Sequence, residues 1–180
     1  MEALECIKTR RSVRKFTEQP VTADEIAQVI EAATYAPSWK NTQTTRYTLV
    51  TDPAVKQHMV NDCMMGFAFN QKTAGGAPAI VVVSTVTGRS GFDRDGAFST
   101  SLGTHWQSVD AGAAAQTFCL AAHELGLGTV IMGIFDAEKV AEAVQLPEGQ
   151  QVAALITIGH PAEDPAAPKR KTVDELLRTI

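Results

Sequence analysis

The sequence predicts one layered domain of the α/β or α+β class, spanning residues 1–180. Three observations carry this. Strand-like and helix-like runs alternate along the chain, the pattern of packed layers. The run Ala79-Ile80-Val81-Val82-Val83 is apolar on both faces, so it reads as a central strand covered from both sides. At 180 residues and 44% hydrophobic, the chain is long enough for a real core, since a chain of this size buries roughly 70% of its unfolded surface.

The elements follow in order. The helical period is clearest over 23–35, where Ile26, Val29, Ile30 and Ala33 share a face. Thr22 followed by Glu25 is a capping box that starts this helix. Residues 47–51 read as a strand. Asp52-Pro53 opens a helix near 53–65, with proline at the first helical position. The central strand covers 79–85. Residues 86–108 are rich in Gly, Ser and Thr with little periodicity, which reads as a long loop: a lid or binding loop, or an irregular surface segment. An Ala-rich helix follows at 110–125, with Ala111, Ala114, Ala115, Phe118 and Ala122 in one stripe and Gly126 and Gly128 ending it. So many small residues anticipate close approach of another backbone or of a flat ligand. A strand at 129–134 leads to Asp136, which caps a short helix through about 144. The strand at 152–159 is the last, and Thr172 starts the final helix.

Composition excludes several functions. With 16 Lys and Arg against 20 Asp and Glu, the net charge is −4, which argues against a general nucleic-acid surface. No apolar run approaches the roughly 18 residues of a spanning helix. The start, Met1 to Cys6, lacks a basic region followed by an apolar stretch, so no signal peptide is expected. Cys6, Cys63 and Cys119 lie far apart and read as reduced thiols of a cytoplasmic protein. The four histidines are not at metal-ligand spacing, and His123-Glu124 lacks the second histidine of a zinc protease. The dinucleotide fingerprint, the phosphate-binding P-loop and the G-x-S-x-G elbow are absent.

Three constellations are left. Lys8, Arg10, Arg11, Arg14 and Lys15 crowd one end of the chain and Lys169, Arg170 and Lys171 the other, half of all basic residues. Between Asp95 and Pro168 the only one is Lys139. In a net-acidic chain such clusters point to an anion site, because a guanidinium grips phosphate bidentately and Ser12 adds a hydroxyl. Solvated helix ends are the plainer reading. Second, Ala36-Pro37-Ser38-Trp39-Lys40-Asn41-Thr42-Gln43 offers a rigid turn with neutral donors and acceptors that suit the edge of a heterocycle, or an ordinary connection. Third, Gly126 to Asp136 is an apolar strand that ends at Gly133, where a backbone N–H can approach a ligand closely, or it is only a strand-to-helix turn.

In this order, the segments resemble the nitroreductase family of FMN-dependent oxidoreductases. The stretches that carry the resemblance are Arg10-Arg11-Ser12-Val13-Arg14-Lys15-Phe16, Ala36 to Gln43, Asp110-Ala111-Gly112-Ala113-Ala114-Ala115-Gln116, Gly126-Leu127-Gly128-Thr129, Gly133-Ile134-Phe135-Asp136 and Lys169-Arg170-Lys171. The resemblance runs from residue 2 to about 177. The resemblance implies a three-layer α+β sandwich, a mainly antiparallel sheet flanked by helices, and a homodimer with FMN at its interface. It implies that Arg10, Ser12 and Arg170 hold the FMN phosphate, with Lys169 assisting. Arg11 matches a flavin-contacting position and Arg14 a basic residue at the pyrimidine side. Pro37, Ser38, Trp39 and Asn41 match the segment that the partner subunit lays against the cofactor. Asn70 resembles an amide that contacts the ring, and Ile131, Met132, Gly133 and Ile134 match the strand end that faces it. There are departures: Trp39 and Lys40 stand where a small residue and glycine are common, and Thr44 and Thr45 where Pro-Trp is common. An acidic residue often found beside the ring is replaced near Gly133. These bear on substrate choice.

The implied activity is electron transfer from NAD(P)H through the flavin to a nitroaromatic or quinone-type acceptor, in ping-pong order. No protein acid or base is required, since the cofactor carries the chemistry. A flavin-dependent dehalogenase, a flavin-fragmenting enzyme and a flavin-binding module without turnover are the alternatives.

Overall fold

A computed structural model describes residues 1–180. Four strands form its sheet: β1 (Thr45–Val50), β2 (Ala79–Val86), β3 (Gly128–Met132) and β4 (Gln150–Gly159). Their order is β1-β2-β4-β3, and every neighbouring pair is antiparallel. Seven helices surround them: α1 (Ala3–Thr9), α2 (Ala23–Ala33), α3 (Pro53–His58), α4 (Ala68–Gly76), α5 (His105–Glu124), α6 (Ala137–Ala143) and α7 (Val173–Leu176).

Strand alternation explains the layers. Ile80 and Val82 of β2 point into one cluster, with Met59, Cys63, Met64 and Val140. Ala79, Val81 and Val83 point into the other, with Val29 and Ala33 of α2 and Ala115, Phe118 and Ala122 of α5. Every residue from Ala79 to Thr85 is buried, as an interior strand with both faces covered requires. The alanine stripe of α5 serves the approach of α2 and the sheet. Beyond it, Tyr47 stacks on Phe118 with ring centroids 5.6 Å apart, and burial pushes its phenol up to about 12.

Local signals set the helix starts. Thr22 Oγ1 accepts from Glu25 N while Glu25 accepts from Thr22 N, the reciprocal capping box of α2. Asp52 caps α3, with Pro53 in the first turn, and Asp136 caps α6. A second capping box, Thr172 with Glu175, opens α7.

Three features depart from the sequence reading. The helix expected over 53–65 is α-helical only to His58 and continues as a π-turn through Cys63. The Cys63 carbonyl then accepts from Asp136 N at 2.8 Å, a bond that ties the π-turn to the turn after β3. α4 was not anticipated, because its buried face carries Asn70, Thr73 and Ala74 instead of an apolar stripe. α5 begins five residues before the expected start. Its first turns bury Gln107 and Asp110, polar residues that hide the helical period, and Thr104 makes no side-chain cap.

The segment before α5 is correspondingly shorter and is fastened in place. The Phe92 and Phe98 rings lie 4.9 Å apart across an isolated antiparallel bridge. Gln107 Oε1 accepts from Gly88 N at 3.1 Å. Gly91 has φ +83°, and a Cβ there would stand 2.3 Å from the Gly103 carbonyl oxygen, so only glycine fits.

Gly128 is the second position that requires glycine, here for space. A Cβ on it would lie 2.8 Å from Val13. Gly128→Ala is expected to destabilise the fold by about 1–3 kcal/mol, the range for overpacking, and to loosen the N-terminal segment. Thermal unfolding and amide exchange at Val13 check this; an unchanged melting temperature with unchanged exchange would show that the segment does not depend on the close approach.

Candidate functional site

The site is built on the chain that leaves α1. Arg10 caps that helix, and its N–H donates to Cys6 O at 3.0 Å. The chain then runs extended along β3. Val13 N donates to Thr129 O at 2.9 Å, and Ser12 pairs with Thr129 in a parallel bridge. On its other side lies the start of the C-terminal segment. Glu163 Oε1 accepts from Arg14 N at 2.8 Å and Lys15 N at 3.2 Å, and Ala162 N donates to Lys15 O at 2.9 Å.

This backbone scaffold displays cations without acidic partners. None of Arg10, Arg11 and Arg14 forms a salt bridge. Arg11 Nη1 donates only to the carbonyls of Lys8 and Arg10, at 2.7 and 2.9 Å. Arg14 donates to Ser12 O at 3.1 Å and lies over the Phe69 ring, 5.5 Å from its centroid. Arg10 is half-buried. Near it, His123 Nε2 sits 2.8 Å from Thr9 Oγ1, whose hydroxyl is also 2.8 Å from Glu5 O. Burial, and then the Arg10 charge, hold the His123 pKa below its ordinary value, so the ring is neutral at pH 7.

The end of β3 adjoins this cluster. Asn70, buried on α4, donates from Nδ2 to Ile134 O at 3.2 Å. Ile131 and Ile134 are exposed, whereas the Met132 side chain is buried and offers only backbone. Nothing lies within 4 Å of where a Gly133 Cβ would stand, so the backbone there is open to an incoming group. The structure therefore brings Arg14, Asn70 and Ile134 into one neighbourhood, joined through Phe69.

The turn 37–43 stands apart from it. No hydrogen bond or salt bridge joins the two within one chain. Ser38 Oγ accepts from Gln43 N at 2.9 Å. Lys40, Asn41 and Gln43 have φ of 46°, 54° and 49°, left-handed conformations that cost roughly 1–2 kcal/mol per residue outside glycine. Pro37 and Asn41 are exposed. The Trp39 ring packs on Trp106, with centroids 4.6 Å apart, and Lys40 Nζ pairs with Asp93 at 3.0 Å. Trp39 N donates to both carboxyl oxygens of Asp110, at 3.0 and 3.1 Å. Trp39 Nε1 and Thr42 Oγ1 are buried without partners.

Lys169 and Arg170 are exposed on the extended chain before α7 and form no hydrogen bond or salt bridge. The C-terminal segment meets the N-terminal one at Glu163, but Arg170 is not brought to Arg10 by any contact within the chain. Sequence reasoning missed Phe69, His123 and Asp110. Asp110 had a signal, an acid one helical turn before Ala114 of the alanine stripe; Phe69 and His123 had none.

The Nitroreductase family model matches residues 7–160. An NADPH-flavin oxidoreductase of Vibrio harveyi is 30% identical over 174 residues, which cover 93% of this chain and 69% of that protein. Among solved structures, the chain is similar to an NADPH:FMN oxidoreductase of Vibrio harveyi complexed with NAD+, with TM-score 0.81, 27% identity and coverage of 98% and 76%. A nitroreductase family protein of Streptococcus pneumoniae shares the fold at TM-score 0.85 and 24% identity, with 99% of this chain and 100% of that one covered. With a family match over most of its length and this architecture beneath it, the chain belongs to the nitroreductase family.

Proposed function

We propose that this chain is an NAD(P)H-dependent oxidoreductase that binds FMN as a homodimer and passes electrons to a nitroaromatic or quinone-type acceptor. The observation that carries the reading is the unpaired cluster Arg10, Arg11 and Arg14, pinned beside the open backbone at Gly133. When bound, FMN supplies the two-electron chemistry that links a nicotinamide donor to the acceptor.

The residues fit such a group. A half-buried guanidinium with no acid beside it suits a phosphate, and Arg10 with Ser12 would hold it, joined by Arg170 and Lys169 when the C-terminal segment folds over. Arg14 would place its charge at the pyrimidine side, held in position by Phe69. Arg11 would sit over the cofactor. Asn70 would orient the strand end through Ile134 O, and the N–H groups of Gly133 and Ile134, flanked by Ile131 and Met132, would face the ring. Phosphate binding lies away from the reacting atoms, so it holds the cofactor without committing the site to one acceptor. With one open face, donor and acceptor take turns, a ping-pong order.

The homodimer belongs to the same reading. Val173 and Leu176 of α7 and Leu177 just after it are exposed, as are Leu4 and Ile7 of α1. A cleft of about 540 Å³ between α2 and α5 is lined by Ala32, Tyr35, Ala121 and Leu125. A second copy would cover such faces and bring its own Pro37, Ser38, Trp39 and Asn41 to the cofactor. A cytoplasmic location is also proposed; three buried, unpaired cysteines support it.

Purified protein is expected to be yellow, to sediment as a dimer, and to oxidise NADH or NADPH steadily when given a nitroaromatic. A colourless protein that FMN cannot load would end the proposal, and a flavoprotein without turnover would leave only the binding module. Replacing Arg10 and Arg170 together with alanine is expected to weaken FMN binding by more than about 100-fold, since each removes a charge-assisted bond worth roughly 1.5–3 kcal/mol. Fluorescence titration of the apoprotein measures this; unchanged affinity would remove both residues from the phosphate site.

A further inference from the structure

We infer that Asp110 is a positioning residue that holds the turn 37–43 in its cofactor-facing shape, with Trp106 as its second support. The inference rests on the flavin reading of that turn. Asp110 is only 4% exposed, and its carboxyl group has a single partner, the backbone N–H of Trp39. No cation pairs with it. A buried carboxyl group without a countercharge is costly, and folding tolerates it where a specific hydrogen bond is needed.

The turn is closed within itself by Asn41 N donating to Ser38 O at 3.0 Å and Thr42 N to Trp39 O at 2.8 Å, but neither bond takes the Trp39 N–H. Three of its residues are left-handed without being glycine, so they persist only where neighbouring structure determines them. Within the turn, the Ser38 Oγ bond to Gln43 N spans the bend but leaves the Trp39 N–H free. α5 supplies what is missing. Trp106 and Asp110 stand four residues apart, on one face of that helix. Trp106 packs the Trp39 ring from one side while Asp110 takes its N–H. Because α5 is also a wall of the core, the turn inherits the rigidity of the interior. The result is a turn whose Pro37 and Asn41 point outward. Two buried polar atoms there, Trp39 Nε1 and Thr42 Oγ1, have no partner within the chain.

The test compares wild-type protein with Asp110→Ala and Asp110→Asn by two readouts. One is amide exchange of the peptide containing Trp39 in the apoprotein; the other is FMN affinity by fluorescence titration. Asp110→Ala is expected to lose protection at Trp39 and to weaken FMN binding by about tenfold or more, the scale of a lost hydrogen bond to a carboxylate. Asp110→Asn keeps an acceptor oxygen at that place and is expected to restore both. Normal protection in Asp110→Ala, or no rescue by Asn, would overturn the role. If Asp110→Ala does not fold, Asp110→Leu fills the space without an acceptor and replaces it in the comparison. Asn41→Ala separates the two readings. If protection falls in Asp110→Ala while FMN affinity is unchanged both there and in Asn41→Ala, then the turn does not face the flavin, and the inference fails with that reading.

Discussion

The Val13 N–H donates to the Thr129 carbonyl across a gap that the missing side chain of Gly128 opens. β3 is the outer strand of the sheet, with β4 as its only sheet neighbour. An outer strand exposes unpaired backbone groups, and here a short parallel contact from the N-terminal segment covers part of them. The same contact fixes where Arg10, Arg11 and Arg14 stand. Like charges in close sequence repel, so the segment needs neutral bonds to hold its place. It has them: Val13 to Thr129 on one side, Lys15 and Thr17 to the 160–162 backbone on the other. Glu163 spends its carboxylate chiefly on the backbone N–H groups of Arg14 and Lys15, and reaches only the Lys15 ammonium, at 3.8 Å. The guanidinium charge is thereby left available. In the interior an acid would have to neutralise it; on the flavin reading a phosphate would.

α5 performs a comparable double duty against the sheet. Its later turns are small and apolar, which lets α2 and the sheet approach and closes the core around Phe118. Its first turns bury two polar residues, and each has a task. Gln107 receives Gly88 N, and Asp110 receives Trp39 N. A helix that is part core wall and part bracket costs some packing area at one end. In return it ties two irregular segments to the most rigid element available, as a binding surface built from loops requires.

The parts of the fold legible in the sequence are those governed by local chemistry. The Thr22–Glu25 box, the Asp52-Pro53 start and the Asp136 cap each satisfy backbone groups within three residues, so their signals lie side by side. The run at 79–83 advertised its own burial. What escaped was set by contacts distant in sequence. α4 has no apolar stripe because its inward face carries Asn70, which answers to Ile134. The early start of α5 is concealed because Gln107 and Asp110 are buried for the sake of Gly88 and Trp39. The π-turn at Met59–Cys63 depends on a bond from Asp136, which no spacing around it announces. The candidate site divides in the same way. The arginines were visible as a cluster, whereas Phe69 under Arg14 is seen only once α4 is folded against the strand end.

Unsatisfied groups are informative by where they gather. Some buried polar atoms without partners, such as Thr157 Oγ1 of β4, belong to the sheet interior. Trp39 Nε1 and Thr42 Oγ1 are different, because they occur together in a turn that also carries three left-handed residues. A chain that kept such a turn for its own packing would relax the strain or satisfy the donors. Keeping both, while an unpaired buried carboxyl group holds the turn from behind, makes sense if the turn's partners come from outside the chain. The exposed Val173 and Leu176 of α7 and the adjoining Leu177 pose the same problem at the other end, since a four-residue helix has no stability of its own without a surface to lie on. One second copy would resolve both at once: it offers a surface to α7 and receives the turn. On the proposed homodimer, strain in the turn and exposure in the tail would be two sides of a single interface, and Arg10, Arg11 and Arg14 would face what that interface encloses.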